Sequence, residues 1–213
     1  LRWGASKVDI IPAGITLNKF SSEFIPINSL SIKYQNTAKI LKKEKSFVLS
    51  VGRFEKRKNH LNIYKACLEL DIPLLIIGRR INKEFECIDE LKKYSNKNLF
   101  IWEDVPLINL KWAYNNASVH VLATEHETTG LVSLEAAACG ARPVSLNYPT
   151  AHEYLDPFGE IAQNSSKENL VLTIKNALKR KRLNKYESKF LKKYDWDSIA
   201  SEMERVYFEI LKT

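Results

Sequence analysis

Short, β-branched apolar runs alternate along this chain with longer stretches in which apolar residues return every three or four positions. The runs Phe47–Val51, Leu74–Ile77, Leu99–Trp102, Val119–Leu122, Pro143–Leu146 and Glu160–Ala162 predict six strands. Most lack polar alternation, as strands buried on both faces do. The stretches near Asn59–Leu70, Lys83–Tyr94, Leu107–Asn116, Gly130–Cys139 and Ser166–Leu178 predict helices, with two more toward the C-terminus. Strand and helix in regular succession mark a parallel sheet covered by helices on both faces. The expected fold class is α/β, with a doubly wound, mostly parallel, six-stranded sheet.

Two regions stand outside that succession. Trp196, Ile199, Met203, Val206, Tyr207 and Ile210 form one apolar stripe on a final helix started by Asp195 or Asp197, and such a stripe has to dock on something. At the other end, Ile10–Ile15 reads as a strand and turn, and Ser21–Lys45 has no sustained pattern. Residues 1–45 are read as an entry segment within a longer gene product, and 46–213 as the ligand-binding domain including the C-terminal helix. The start Leu1-Arg2-Trp3-Gly4, without an initiator Met, points the same way.

Composition narrows the class. With 213 residues, 45% hydrophobic and 27% charged, the chain suits one globular domain and not a disordered segment. The longest apolar run, Ile72–Gly78, is far short of the roughly 20 residues of a spanning helix. The net charge of +8 is local, because Lys167–Lys193 holds ten basic and two acidic residues and the remainder has 23 of each. Solvated helix faces around a turn are the preferred account of that segment, and a peripheral grip on an anionic membrane is the alternative. Nucleic acid is not expected as a partner, since no aromatics interleave Lys179–Arg182. Cys67, Cys87 and Cys139, odd in number and without metal-ligand spacing, favour a reduced, cytoplasmic setting.

Ligands of open parallel sheets bind at the strands' carboxyl ends where strand order reverses, between strands one and four in the order 3-2-1-4-5-6. The loop after strand one, Gly52–Asn59, is cationic, and the loop after strand four, Thr124–Gly130, is acidic. Gly130 opens a helix whose free amides can receive a phosphate or a polar sugar. Arg53, with its fork of donors, and Lys58, as a point charge, suit a diphosphate. Glu135 lies among Leu134, Ala136, Ala137 and Ala138, so its carboxylate needs a partner. An exposed edge, an internal cation or the two hydroxyls of a ribose would each serve. Glu127 is either a helix-start carboxylate or a ligand contact. No Gly-x-Gly-x-x-Gly follows strand one, which disfavours a dehydrogenase.

Glu127-Thr-Thr-Gly-Leu-Val-Ser-Leu-Glu135, followed by Ala-Ala-Ala-Cys-Gly-Ala-Arg-Pro-Val144, is similar to the Glu-x7-Glu motif of retaining glycosyltransferases of family 4. Ser50-Val-Gly-Arg53 with Lys58, Ile11-Pro-Ala-Gly14 and Tyr194-Asp-Trp-Asp197 extend the match across nearly the whole chain. The sequence thus resembles the C-terminal donor-binding domain of such an enzyme, one of two facing Rossmann-like domains in the GT-B arrangement. The resemblance implies a nucleoside diphosphate sugar, such as UDP- or GDP-hexose, as substrate, with no cofactor and no metal. It gives catalytic roles to Glu127, Arg53 and Lys58. Gly52, Arg53 and Lys58 would meet the diphosphate, amides around Thr129, Gly130 and Leu131 the sugar hydroxyls and distal phosphate, and Glu135 the ribose. Trp102 would lie beside the base and His126 would line the site. A hexose would pass with retention to a sugar or lipid-linked acceptor held by the missing N-terminal domain, so the fragment alone would turn over poorly. Thr128 and Thr129 replace the family's usual Gly-Phe, Ala13 its Asn, and Asn59 its Gly. A stand-alone, non-catalytic nucleotide-sugar binding module is the alternative.

Overall fold

The structure, a computed structural model, describes residues 8–80, 86–94, 98–156, 158–184 and 187–212. The chain start at Leu1 and the helix start expected at Lys83 lie outside the described residues. In chain order the elements are α1 (Ile32–Lys43), β1 (Val48–Val51), α2 (His60–Glu69), β2 (Leu74–Gly78), α3 (Glu86–Lys93), β3 (Leu99–Glu103), α4 (Leu107–Asn116), β4 (Val119–Leu122), α5 (Leu131–Ala138), β5 (Arg142–Leu146), α6 (Pro149–Leu155), β6 (Glu160–Ala162), α7 (Lys167–Lys179) and α8 (Trp196–Leu211). The strands form one sheet in the order β3-β2-β1-β4-β5-β6, and every pairing is parallel. The reversal of order falls between β1 and β4, the pair joined at Val48↔Val119 and Leu49↔His120.

Successive strand residues point to opposite faces, so each apolar run feeds two cores. Val48, Leu74, Ile76, Val119 and Val121 pack with α2, α3 and α7, while Leu49, Val51, Leu75 and Ile77 pack with α1, α4 and α5. This explains the missing polar alternation. Trp102, expected beside a nucleotide base, belongs to the second core: it is 1% exposed and its ring lies 4.7 Å from that of Tyr34 and 5.8 Å from that of Trp112. A ring with no free face cannot stack on a ligand, so that expectation is corrected.

The expected boundary at residue 45 does not separate two packed units. Phe20, Ile25, Leu30, Tyr34, Ala38 and Leu41 share a core with Phe47, Trp112 and Tyr114. Helix α1 was invisible in the pattern because Ile32 and Ile40 face solvent and blur the buried stripe of Tyr34, Ala38 and Leu41. Helix α6 is seven residues long, too short for a period to show. Ile10–Ile15 makes only an isolated bridge, Ile15 with Asp195. A Cβ on Gly14 would meet Ile199 Cδ1 at 2.5 Å, so glycine there lets the leading segment close on the head of α8. Of the stripe expected on α8, Ile199 is buried, whereas Trp196, Met203, Tyr207 and Ile210 are exposed.

The basic run is partly internal. Arg182 donates to the carbonyls of Ala117, Cys139 (2.7 Å) and Tyr114 (3.4 Å), where α4 and α5 end and their dipoles leave negative charge. Arg180 pairs with Glu160 at 2.8 Å. No helix among the described residues is long and apolar enough to cross a membrane.

Candidate functional site

The loop after β1 is held against the end of β2. Gly52 donates its amide to Ile77 (3.0 Å) and Phe54 to Arg79 (3.1 Å), and Lys56–Lys58 makes one 3-10 turn. Asn59 then adopts a left-handed conformation, φ 53°, which asparagine tolerates better than most residues. Its side-chain amide donates to the Ala123 carbonyl at 2.8 Å. The glycine expected there would permit the turn but could not tie it to the end of β4.

Lys58 folds back over Gly52 and meets the facing loop. Its ammonium lies 2.9 Å from Glu127 Oε2, with the two side chains 9% and 19% exposed. The structure therefore joins two of the predicted catalytic residues, 69 positions apart, in one half-sheltered ion pair. Arg53 is placed differently: its half-exposed guanidinium is 2.8 Å from Glu55 Oε1. The other oxygen of Glu55 takes Arg57 Nε at 2.6 Å, and Arg57 Nη1 donates to Thr124 Oγ1 (3.2 Å) and to the His126 carbonyl (3.1 Å). Glu55 and Arg57, to which the sequence assigned no role, thus fasten the cationic loop to the acidic one. Charge alternation across Arg53, Glu55 and Arg57 was the available signal. The His126 side chain is exposed.

Helix α5 opens at Gly130, φ 62°, where an added Cβ would lie 3.0 Å from Leu122 Cδ2. The left-handed turn and the close approach to β4 both require glycine there. Thr129 and Leu131 flank it, half-buried. One turn further, Glu135 accepts from the Tyr114 hydroxyl at 3.0 Å. Burial pushes the Glu135 carboxyl up and the Tyr114 bond opposes that shift, while burial and the carboxylate drive the Tyr114 phenol well above its ordinary range. The required partner is a tyrosine on α4, an option not foreseen from the sequence.

Two histidines support the site from behind. His60 donates Nε2–H to the Arg53 carbonyl (3.4 Å), and its Nδ1 faces Ser50 Oγ (3.4 Å). His120 Nδ1 faces Ser133 Oγ on α5, also at 3.4 Å. Desolvation, reinforced in both cases by the Lys58 charge, pulls His60 down to about 4 and His120 to about 3. Both are therefore neutral near pH 7. His120, inside β4 and fully buried, is a packed histidine.

Two clefts open at the strands' carboxyl ends. One, of about 400 Å³, is lined by Arg57, Glu125, His126, Glu127, Thr128 and Tyr148. The other, of about 470 Å³, lies over β1, β2 and the end of β3, with Gly52, Arg53, Gly78, Arg79 and Asp104 among its walls. Among the described residues, no group of three or more His, Cys, Asp or Glu side chains is clustered as a metal ion would require.

The family profile described as "Glycosyl transferases group 1" matches residues 33–194. The chain belongs to this family. Among solved structures, this group 1 domain superposes on sucrose-phosphate synthase from Thermosynechococcus elongatus with a TM-score of 0.78 at 21% identity, covering 99% of the chain and 55% of the synthase. It superposes on HepE of Anabaena, determined in complex with UDP and glucose, with a TM-score of 0.76 at 13% identity, covering 93% and 56%. The isolated C-terminal domain of a group 1 glycosyl transferase from Francisella tularensis is matched over 98% of its length, with 89% of this chain, a TM-score of 0.59 and 14% identity. No curated protein matches by sequence. The group 1 domain therefore has the Rossmann-like fold of GT-B C-terminal domains, and it spans about half the length of the first two structures.

Proposed function

We propose that this chain is the donor-binding half of a retaining glycosyltransferase of family 4, taking a hexose from a nucleoside diphosphate sugar to a sugar or lipid-linked acceptor. The observation that carries the reading is the Lys58–Glu127 pair, which joins the cationic and acidic loops at the reversal point of the sheet. An arriving diphosphate competes with Glu127 for the Lys58 ammonium, and the exchange frees Glu127 to accept from hydroxyls of the donor sugar. Arg53 meets the same diphosphate from its half-exposed position, and amides around Thr129, Gly130 and Leu131 face the sugar and the distal phosphate. Glu135, held by Tyr114, accepts from the ribose diol.

In the transfer step the anomeric C–O bond to the diphosphate breaks, and charge accumulating on the leaving oxygen is stabilised by Arg53 and Lys58. The acceptor hydroxyl attacks the same face of the short-lived oxocarbenium-like ion and passes its proton to the departing phosphate, so configuration is retained. A preceding domain, on which α8 packs, supplies the acceptor site. Titration of UDP, GDP and ADP into the protein and into Arg53→Ala and Glu135→Ala tests the proposal. At least one nucleotide should bind the wild type, with about tenfold or greater weakening in each variant. Equal affinities in all three proteins would overturn it.

A further inference from the structure

The two clefts differ in what they can recognise. The one beside Glu127 is walled by Glu125, His126, Thr128 and Tyr148, groups that exchange hydrogen bonds with hydroxyls. The other has aliphatic sides, Val51, Ile77, Val105 and Leu110, and a floor at Gly52 and Gly78. Neither glycine carries a side chain, so the floor is bare backbone, and a Cβ on Gly78 would meet the Gly52 carbonyl at 2.0 Å and the Phe54 ring at 2.7 Å, which holds the ends of β1 and β2 close together beneath it. A slot with aliphatic sides and a flat floor suits a planar ring. Arg53 lines this slot, while Arg57 and Glu127 line the other cleft. A diphosphate between Arg53 and Lys58 would therefore lead from a base in one cleft to a sugar in the other.

Two consecutive carboxylates, Glu103 and Asp104, stand at the end of β3, and they are used differently. Glu103 is held by Arg80 at 2.9 Å and by Lys92 at 3.3 Å, and the arginine bond keeps its carboxyl below the ordinary range. Asp104 turns back across the end of β2, its amide donating to the Gly78 carbonyl at 3.0 Å. It does so in a left-handed conformation, φ 49°, and it lines the slot. Its carboxylate has no direct hydrogen-bond or ion-pair partner among the described residues, and the Lys33 ammonium feels its charge. The slot thus contains one acceptor-only group with two oxygens, held by an unusual backbone turn.

We infer that Asp104 selects guanine, and that the donor of this enzyme is a guanosine diphosphate sugar. This rests on the donor-binding reading above. Guanine presents N1–H and N2–H side by side, one for each carboxylate oxygen. Uracil presents a single N3–H between two carbonyl oxygens that face the carboxylate unfavourably. Adenine presents N6–H beside the N1 lone pair, giving one bond and one repulsion. Arg79, in the same slot, donates to any base carbonyl and does not discriminate between guanine and uracil. A bidentate pair of this kind separates the right base from the wrong one by about tenfold or more.

The test is calorimetric titration of the protein with GDP, inosine diphosphate, UDP and ADP, repeated on Asp104→Asn and Asp104→Gly, both of which tolerate a left-handed backbone. The wild type should bind GDP about tenfold more tightly than UDP or ADP, and more tightly than inosine diphosphate, which lacks the 2-amino group. Both variants should lose that preference while binding UDP and ADP within about threefold of wild type. Asp104→Asn should gain affinity for xanthosine diphosphate, whose 2-oxo group accepts from the new amide. A wild type that binds UDP or ADP as tightly as GDP, or variants in which all four ligands weaken equally, would overturn the inference. In either case, if Arg53→Ala still weakens nucleotide binding, the donor-binding reading survives; if no nucleotide binds the wild type, both fall.

Discussion

The crest between β1 and β4 and the last helix, α8, carry similar charged groups in opposite settings. At the crest, Lys58 and Glu127 are sheltered, at 9% and 19% exposure, and Arg57 and Asn59 tie the loop after β1 to the loop after β4. On α8, Arg205 is 46% exposed and pairs with Glu202 at 2.6 Å and also with Glu209. The apolar side differs too. The eight residues of α5 bury Ser133, Leu134, Ala136 and Ala137, whereas the sixteen of α8 bury only Ile199. An ion pair taken out of water is costly to break because the remaining partner is stranded, whereas an exposed pair exchanges with solvent at little cost. Geometry alone does not separate them; surroundings do.

The largest expected consequence is acid sensitivity of the crest. His60 and His120 have folded pKa values pulled down to about 4 and about 3. In the unfolded chain both take up protons near the ordinary value, about 6.5. Their contribution to stability is therefore present above pH 6.5 and is lost as pH falls toward 4. Each contributes a slope approaching about 1.4 kcal/mol per pH unit in that window. Glu135, whose pKa is raised by burial, has the opposite sign: its contribution is present below its unfolded pKa and lost as pH rises through the folded one. Urea unfolding between pH 7 and 5 should show stability falling with acid, and His60→Gln with His120→Asn should flatten the slope. An unchanged slope in the double variant would refute the assignment.

Next is the crest pair itself. Lys58→Met strands Glu127 and should cost about 2 kcal/mol, less than a fully buried pair because Glu127 is partly solvated. Adding Glu127→Gln should recover part of that loss. A double-mutant cycle read by urea midpoints measures the coupling, and a value indistinguishable from zero would make the crest no different from α8.

Arg182 comes third. Arg182→Leu removes donors to three carbonyls at the ends of α4 and α5 and should cost about 2 kcal/mol. Lys181→Ala, one residue earlier and exposed, should leave the melting temperature unchanged. Equal effects at the two positions would restore the reading of this run as a solvated face.

The sheet was legible because its strands are continuous apolar runs bounded by polar loops, and the boundaries of β4 and β6 coincide with the runs. The two crest loops stood out for the same reason, as charge placed where the apolar pattern stops. What pairs with what was hidden. Tyr114 is 21 residues from Glu135, and Arg182 is 65 from Ala117, and nothing local distinguishes a tyrosine that reaches a carboxylate from one that fills a core. Trp102 shows the converse. Its place at the end of β3 suggested a ligand face, but strand alternation turns it into the core shared with Tyr34 and Trp112. A single step in register decides between the two roles, and only packing reveals it.

The smallest effect belongs to α8, and there the comparison is sharpest. Arg205→Ala should show no measurable coupling to Glu209 at physiological ionic strength, because solvent and salt screen both charges. Tyr207 and Leu211, 59% and 80% exposed, share an apolar groove with Met203 and Phe208. Replacing both by serine removes area that is already in water, so the urea midpoint of this chain should not move. The same double substitution should weaken any assembly in which a partner covers the groove. If the isolated chain instead loses more than about 1 kcal/mol, the outer face of α8 is packed in solution. Its exposed stripe would then be a second core and not an unoccupied surface.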